Sequence, residues 1–267
     1  MIEMLQYAFI RTALGGTAAI GLVCAFLGVY VVLRRIVFVG ATLAEISSVG
    51  IALGILTGWS PNALSLLCTF AAVLFFANPR SGRYLPGDTV LGIAFTVSAA
   101  VAVLFVAHTA TGNEEVVHLL QGNLLALTAE EAERLTIVFA VILAVHLALF
   151  KEFEYVSFDP AMAATQGYRT ERWNLAFYLL LGLAIALAIK AIGILLMFAF
   201  LVIPAALGLL VARGLKGTFG VAMGTALLAV FLGIWLSYRF DFPSGPMIVA
   251  VLGGLLLTGS AYRVVAR

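Results

Sequence analysis

The chain has 267 residues, 63% of them hydrophobic and 10% charged, with a mean hydropathy of +1.14; a soluble domain carries roughly 25% charge, so a water-soluble monomer is excluded. Fifteen Lys and Arg against thirteen Asp and Glu leave a net charge of +2, too small and too scattered for a nucleic-acid footprint. Cys24 and Cys68 stand alone in apolar runs without a Cys-x-x-Cys or Cys/His spacing, which excludes a disulfide framework and a zinc site and reads as two small buried hydrophobes.

Stretches without Asp, Glu, Lys or Arg mark the predicted helices. The N-terminal MIEMLQYAFIRTALGG lacks a basic region followed by a short apolar core and a small-residue cleavage site, so it reads as the approach to a first span rather than a cleaved signal. Charge-free runs cover residues 12–33, 46–79, 89–113, 135–150, 173–189, 191–212, 217–238 and 242–262, most of them near the ~20 residues needed to cross ~30 Å of hydrocarbon. The run 46–79 is too long for one crossing. Its TGWSPN at 57–62 is an interfacial turn, which divides the region into helices of about 36–57 and 62–78.

Nine candidate spans result, and the basic residues orient them by the positive-inside rule. Alternate loops on one side collect Arg34, Arg35, Arg80, Arg83, Lys151, Arg169, Arg172, Arg213, Lys216, Arg263 and Arg267, which is 11 of the 15 basic residues; Arg11, Arg134, Lys190 and Arg239 fall on the other. The N-terminus is therefore expected outside and the C-terminus in the cytoplasm.

Two connections are long enough to hold structure. The outer one, about 110–134, carries Glu114, Glu115, Glu130, Glu131 and Glu133 near His108 and His118, and LTAEEAERL reads as a Thr-capped helix start. It reads first as a solvated acidic face, with a metal-funnelling mouth as the functional alternative. The inner one, 151–174, carries both charge signs and predicts a short helix with Asp159 at its N-cap, Pro160 at its first position and Gly167 near its end. Gly50, Gly54 and Gly58, and again Gly220 and Gly224, recur every four residues and are expected to let helix backbones approach closely.

Glu45 is the acidic residue of the spans themselves. It lies nine residues after Ile36, roughly 13 Å deep at 1.5 Å per residue, where a carboxylate costs about 2.5–3.5 kcal/mol on insertion scales. It must therefore face a cavity or a partner. A bundle-locking hydrogen bond and a pathway role as cation ligand or proton carrier both satisfy that demand. Ser48 and Ala41 share its face at i+3 and i−4, and Ser48 adds one oxygen donor. His146 is expected to hydrogen-bond a neighbouring helix, and Lys190 to snorkel to the outer interface. The sequence has no Gly-x-x-x-x-Gly-Lys-Ser/Thr loop, no histidine pair at i and i+4 and no Gly-x-Ser-x-Gly elbow, so any nucleotide coupled to this chain binds another one.

Several stretches together resemble the membrane permease subunits of zinc and manganese ABC importers: RRIVFVGATLAEISSVGIALG (34–54), LPGDTVLGIAF (85–95), EFEYVSFDPAMAATQGY (152–168), GILLMFAFLVIPAALGLLVARG (193–214) and DFPSGPMIV (241–249). The resemblance spans nearly the whole chain. It implies an all-α polytopic membrane protein of about 8–9 transmembrane helices, a type II ABC importer permease-like bundle forming one domain over residues 1–267. It also implies an inner-membrane homodimer with cytoplasmic ABC ATPase subunits that use ATP, and an extracytoplasmic binding protein that delivers a divalent metal. No cofactor is expected on this chain.

The cytoplasmic loop of about 151–174 would hold the coupling helix, with Phe158, Asp159, Pro160, Ala164 and Gly167 as its contact residues. The family's second helix carries Asp and, four residues later, His within Ser-His-Ala; here Ala41, Glu45 and the triplet Ala44-Glu45-Ile46 stand there. The remaining expected metal ligands, Glu45 and Ser48, are oxygen donors, which suit Mn²⁺ or another hard cation better than Zn²⁺. The alternatives are a permease of the same architecture for another substrate, and a proton-coupled secondary transporter using Glu45. A membrane-embedded enzyme would need clustered polar residues at a depth that offers only Glu45 and His146.

Overall fold

A computed structural model describes residues 6–77, 87–108, 124 and 127–265. They form helices α1 (Ala8–Leu33), α2 (Val37–Thr57), α3 (Pro61–Phe76), α4 (Gly87–Ala107), α5 (Ala129–Ala148), α6 (Phe150–Phe158), α7 (Pro160–Thr165), α8 (Thr170–Val211), α9 (Leu215–Phe240) and α10 (Ser244–Val265), and no strand occurs among the described residues. The all-α expectation holds. Expected features at Arg80, Arg83, Glu114, Glu115 and His118 lie outside the described residues.

Six helices, α1, α2, α4, α8, α9 and α10, are long and apolar enough to cross a membrane, and the pair α5–α6, bent by 70°, makes a seventh if counted as one span. The chain is a multi-pass membrane protein with somewhat fewer distinct spans than the 8–9 expected. Two places account for the difference. The α3 helix has 16 residues, about 24 Å at 1.5 Å per residue, short of the ~30 Å hydrocarbon thickness. The two spans expected either side of Lys190 are the two halves of the 42-residue α8, about 63 Å long at 1.5 Å per residue, which abut without a connecting loop at Gly193, whose φ of 78° and ψ of 167° are non-helical and open essentially to glycine alone.

The charge-free criterion also trimmed helix ends. The α5 helix starts at Ala129 and α8 at Thr170, because Glu130 and Glu131 in one and Glu171 in the other occupy the first turn, where negative charge meets the positive end of the helix dipole. At α5 the capping box is closed: the Glu131 amide donates to Thr128 Oγ1 at 3.2 Å, and the Thr128 amide donates back to Glu131 Oε2 at 3.3 Å.

The helices group into two compact units. One comprises Met1–Arg35, Gln121–Ala144 and Lys190–Arg267. Its core includes Phe26 and Tyr30 of α1 packed on Phe219 of α9, with ring centroids 4.7 and 5.2 Å apart. Here α1 meets α8 so closely that a Cβ at Gly28 would lie 1.9 Å from the Leu201 carbonyl oxygen; only glycine permits that approach.

The second unit comprises Ile36–Leu120 and Val145–Ile189. In it α2 packs against both α3 and α4. The Gly50–Gly54 part of the first glycine ladder performs the expected packing: a Cβ at either would come within 2.6 Å of the α3 backbone, at Leu64–Ser65 and Pro61 respectively. The rest of the ladder makes no such contact among the described residues. Gly58 is the left-handed cap of α2, with φ 74°, and no described residue lies within 4 Å of where a Cβ would stand at Gly220 or Gly224.

Candidate functional site

Glu45 sits on α2, which packs against both α3 and α4. Ser47 and Ser65 hydroxyls join α2 to α3 at 2.6 Å. Thr42 Oγ1 lies 2.8 Å from its own-helix acceptor, the Phe38 carbonyl, and 3.2 Å from the Leu91 carbonyl of α4. At 100° per residue Ser47, Gly50 and Gly54 define the α3-facing side, which places Ala41, Glu45, Ser48 and Ala52 on a different face.

Ala41 and Glu45 are half-buried and Ser48 is buried. Ser48 Oγ donates to the Ala44 carbonyl at 3.0 Å, which occupies its proton and leaves its lone pairs to accept or to ligate. Chemically, this face offers one carboxylate and one hydroxyl oxygen, both hard donors. No group of three or more His, Cys, Asp or Glu occurs among the described residues, so these residues of one chain do not by themselves complete a coordination shell.

The expected coupling segment folds as two helices, of which sequence reading foresaw one. The missed α6 carries Phe153 and Val156 buried three residues apart, an amphipathic spacing that was legible in KEFEYVSF but masked by its charges. The α7 helix is capped as expected: Asp159 Oδ1 accepts from the Met162 amide at 2.9 Å and Pro160 fills the first position. At its other end Gly167, with φ 89°, closes a Schellman motif, in which the Tyr168 amide donates to the Ala163 carbonyl and the Gly167 amide to that of Ala164, both at 3.1 Å. Phe158, Asp159, Pro160, Ala164 and Gly167 are all exposed. Between α6 and α7 lies a cleft of about 250 Å³ lined by Glu154, Tyr155, Phe158, Asp159, Met162, Ala163 and Gln166.

His146 is fully buried against aromatic neighbours: its ring stacks on Phe153 at 4.9 Å and meets Phe177 edge-on at 6.1 Å. It thus braces the root of α6. Lys190 is exposed at the α8 break and reaches Glu131 at 3.9 Å, tying the start of α5 to α8.

A family model described as the ABC 3 transport family matches residues 6–263. The manganese transport system membrane protein MntC of Listeria monocytogenes is 29% identical over 249 residues, covering 93% of this chain and 88% of that protein. The manganese transport system membrane protein MntB of Synechocystis is 29% identical over 257 residues, covering 96% and 84%. Among solved structures, PsaBC from Streptococcus pneumoniae in complex with Fab superposes with a TM-score of 0.87 at 24% identity, covering 100% of this chain and 98% of that one, a likeness of fold. With a family match over almost its whole length and an all-helical apolar architecture to accompany it, the chain belongs to the ABC 3 transport family as a membrane transport subunit.

Proposed function

We propose that this chain is the permease of an ATP-driven importer that carries a divalent metal ion across the cytoplasmic membrane, with Mn²⁺ preferred to Zn²⁺. The observation that carries the reading is the half-buried Glu45 on the braced α2 helix. A carboxylate at this depth is retained for a pathway or a partner, and with Ser48 beside it the donors are oxygen only, which favours the harder cation. The manganese transport assignments of the Listeria and Synechocystis relatives support the same choice.

In this reading residues 1–267 act as one permease domain, and two copies form the pathway, each contributing Glu45. The N-terminus is outside and the C-terminus cytoplasmic, as the distribution of basic residues favours. ATP is hydrolysed on separate cytoplasmic ABC subunits, and an extracytoplasmic binding protein delivers the metal. Phe158, Asp159, Pro160, Ala164 and Gly167 form the contact through which closure of the ATPases biases the permease between outward-open and inward-open states.

The test is total-element mass spectrometry on metal-starved cells expressing the whole transporter, after a pulse of mixed divalent metals. A selective rise in manganese that requires an intact ATPase is expected. Uptake of no metal overturns the substrate class, and uptake that follows the proton gradient with an inactive ATPase favours a secondary transporter.

A further inference from the structure

The cleft between α6 and α7 is lined by Tyr155, Phe158, Met162 and Ala163 together with Glu154, Asp159 and Gln166. Tyr155, Phe158 and Met162 stand 49%, 53% and 57% exposed around it, and such a patch of large apolar side chains edged by polar ones marks an interaction surface. Its volume of about 250 Å³ falls below the roughly 300–1,000 Å³ of small-molecule pockets, a size suited to a single inserted side chain. Both ionisable carboxylates in its lining, Glu154 and Asp159, are acidic and no Lys or Arg lines it. Glu154 is half-buried and forms no ion pair with another described residue. Asp159 spends Oδ1 on the Met162 amide.

We propose that this cleft is the seat of an arginine side chain presented by the cytoplasmic ATPase subunit. The assignment rests on the coupling role given above to residues 158–167 and names the chemistry that the partner must supply there. An arginine satisfies every feature of the cleft. Its aliphatic stem covers the apolar surface of Phe158 and Met162, its planar head stacks on the Tyr155 ring, and its fixed donors meet the Glu154 carboxylate in a charge-assisted hydrogen bond. A lysine matches the charge but not the planar, stacked geometry. The Asp159 cap and the Schellman closure fix the two ends of α7, the helix that forms one wall of the cleft.

The experiment uses the full-length permease in nanodiscs and measures binding of its ATPase subunit as a function of salt. Glu154→Gln is expected to bind about tenfold more weakly with a flatter salt dependence. Glu154→Arg is expected to lose binding and to regain it with one Arg→Glu substitution among ATPase arginines changed one at a time. Wild-type affinity and salt dependence in Glu154→Gln overturn the proposal, as does failure of every charge swap to rescue a Glu154→Arg protein that inserts at normal levels. Phe158→Asp and Asp159→Arg separate the two layers. Loss of binding in these with none in Glu154→Gln leaves the coupling role standing and removes the arginine; intact binding in all of them removes both.

Discussion

Asp159→Ala removes the carboxylate that accepts the Met162 amide at 2.9 Å and leaves the first turn of α7 capped only by water. Loss of an N-cap costs about 1 kcal/mol, close to fivefold in the local helix equilibrium. The six residues of α7 are far fewer than the roughly 12–15 that an isolated helix needs, so its order depends on its two caps and on the buried Ala163. Gly167→Ala attacks the opposite end: with φ at 89°, a Cβ adds about 1–2 kcal/mol of backbone strain. Together the two changes amount to about 2–3 kcal/mol, a roughly 30- to 150-fold rise in local opening. Native-state hydrogen exchange at the Met162 and Tyr168 amides measures that opening, and metal-stimulated ATP hydrolysis of the assembled transporter measures its consequence. Asp159→Asn, which preserves a capping oxygen, should remain near wild type in exchange. If Asp159→Ala leaves the Met162 amide as protected as in wild type, or if Asn and Ala substitutions accelerate it equally, the cap does not hold the helix and the reasoning fails.

The remaining predictions concern packing around the transport helices. Gly28→Ala must displace the α8 backbone, since its Cβ would stand 1.9 Å from the Leu201 carbonyl; a loss of about 1–3 kcal/mol or failure to accumulate is expected in thermal unfolding in detergent. Gly224→Ala, with open space around its Cβ position, should leave the monomer's melting temperature within about a degree, and a large drop would show that the face is not open. The Ser47–Ser65 hydrogen bond predicts a coupling of about 0.6 kcal/mol, of the order measured for polar contacts in membranes, in a double-mutant cycle of Ser47→Ala and Ser65→Ala; additive effects would dissociate the two hydroxyls.

The spans were legible because lipid imposes its thickness on the sequence: charge-free runs of about 20 residues marked α1, α4, α9 and α10, and the turn TGWSPN divided α2 from α3. Helix ends were less legible, because a charge outside the hydrocarbon still belongs to the helix, as at Glu130, Glu131 and Glu171. Lys190 drew the boundary inside α8 three residues before Gly193, the actual break, since a glycine in an apolar run carries no sign of its φ. Local capping chemistry placed α7 correctly at Asp159 and Gly167, whereas the ladder Gly50, Gly54, Gly58, Gly220, Gly224 mixed three roles that spacing alone does not separate: close packing, a helix cap and an open face. For the site, an acid at mid-span singled out Glu45, and helical spacing placed Ser48 and Ala41 on its face. Which residues brace α2 depends on contacts between segments distant in sequence, such as Thr42 with Leu91, and the cleft between the consecutive helices α6 and α7 was hidden because α6 itself was not foreseen.

The central claim is that Glu45 contacts the transported cation, and ATP-driven uptake of radioactive manganese into proteoliposomes containing the complete transporter tests it most directly. Wild type and Glu45→Gln should insert and assemble equally, because the half-buried side chain is replaced by one of nearly the same shape. The account predicts that Glu45→Gln loses at least tenfold in manganese uptake at limiting metal, while Ser48→Ala loses less. Uptake by Glu45→Gln at the wild-type rate, at both limiting and saturating manganese, would contradict it and leave Glu45 as a carboxylate that only holds helices together.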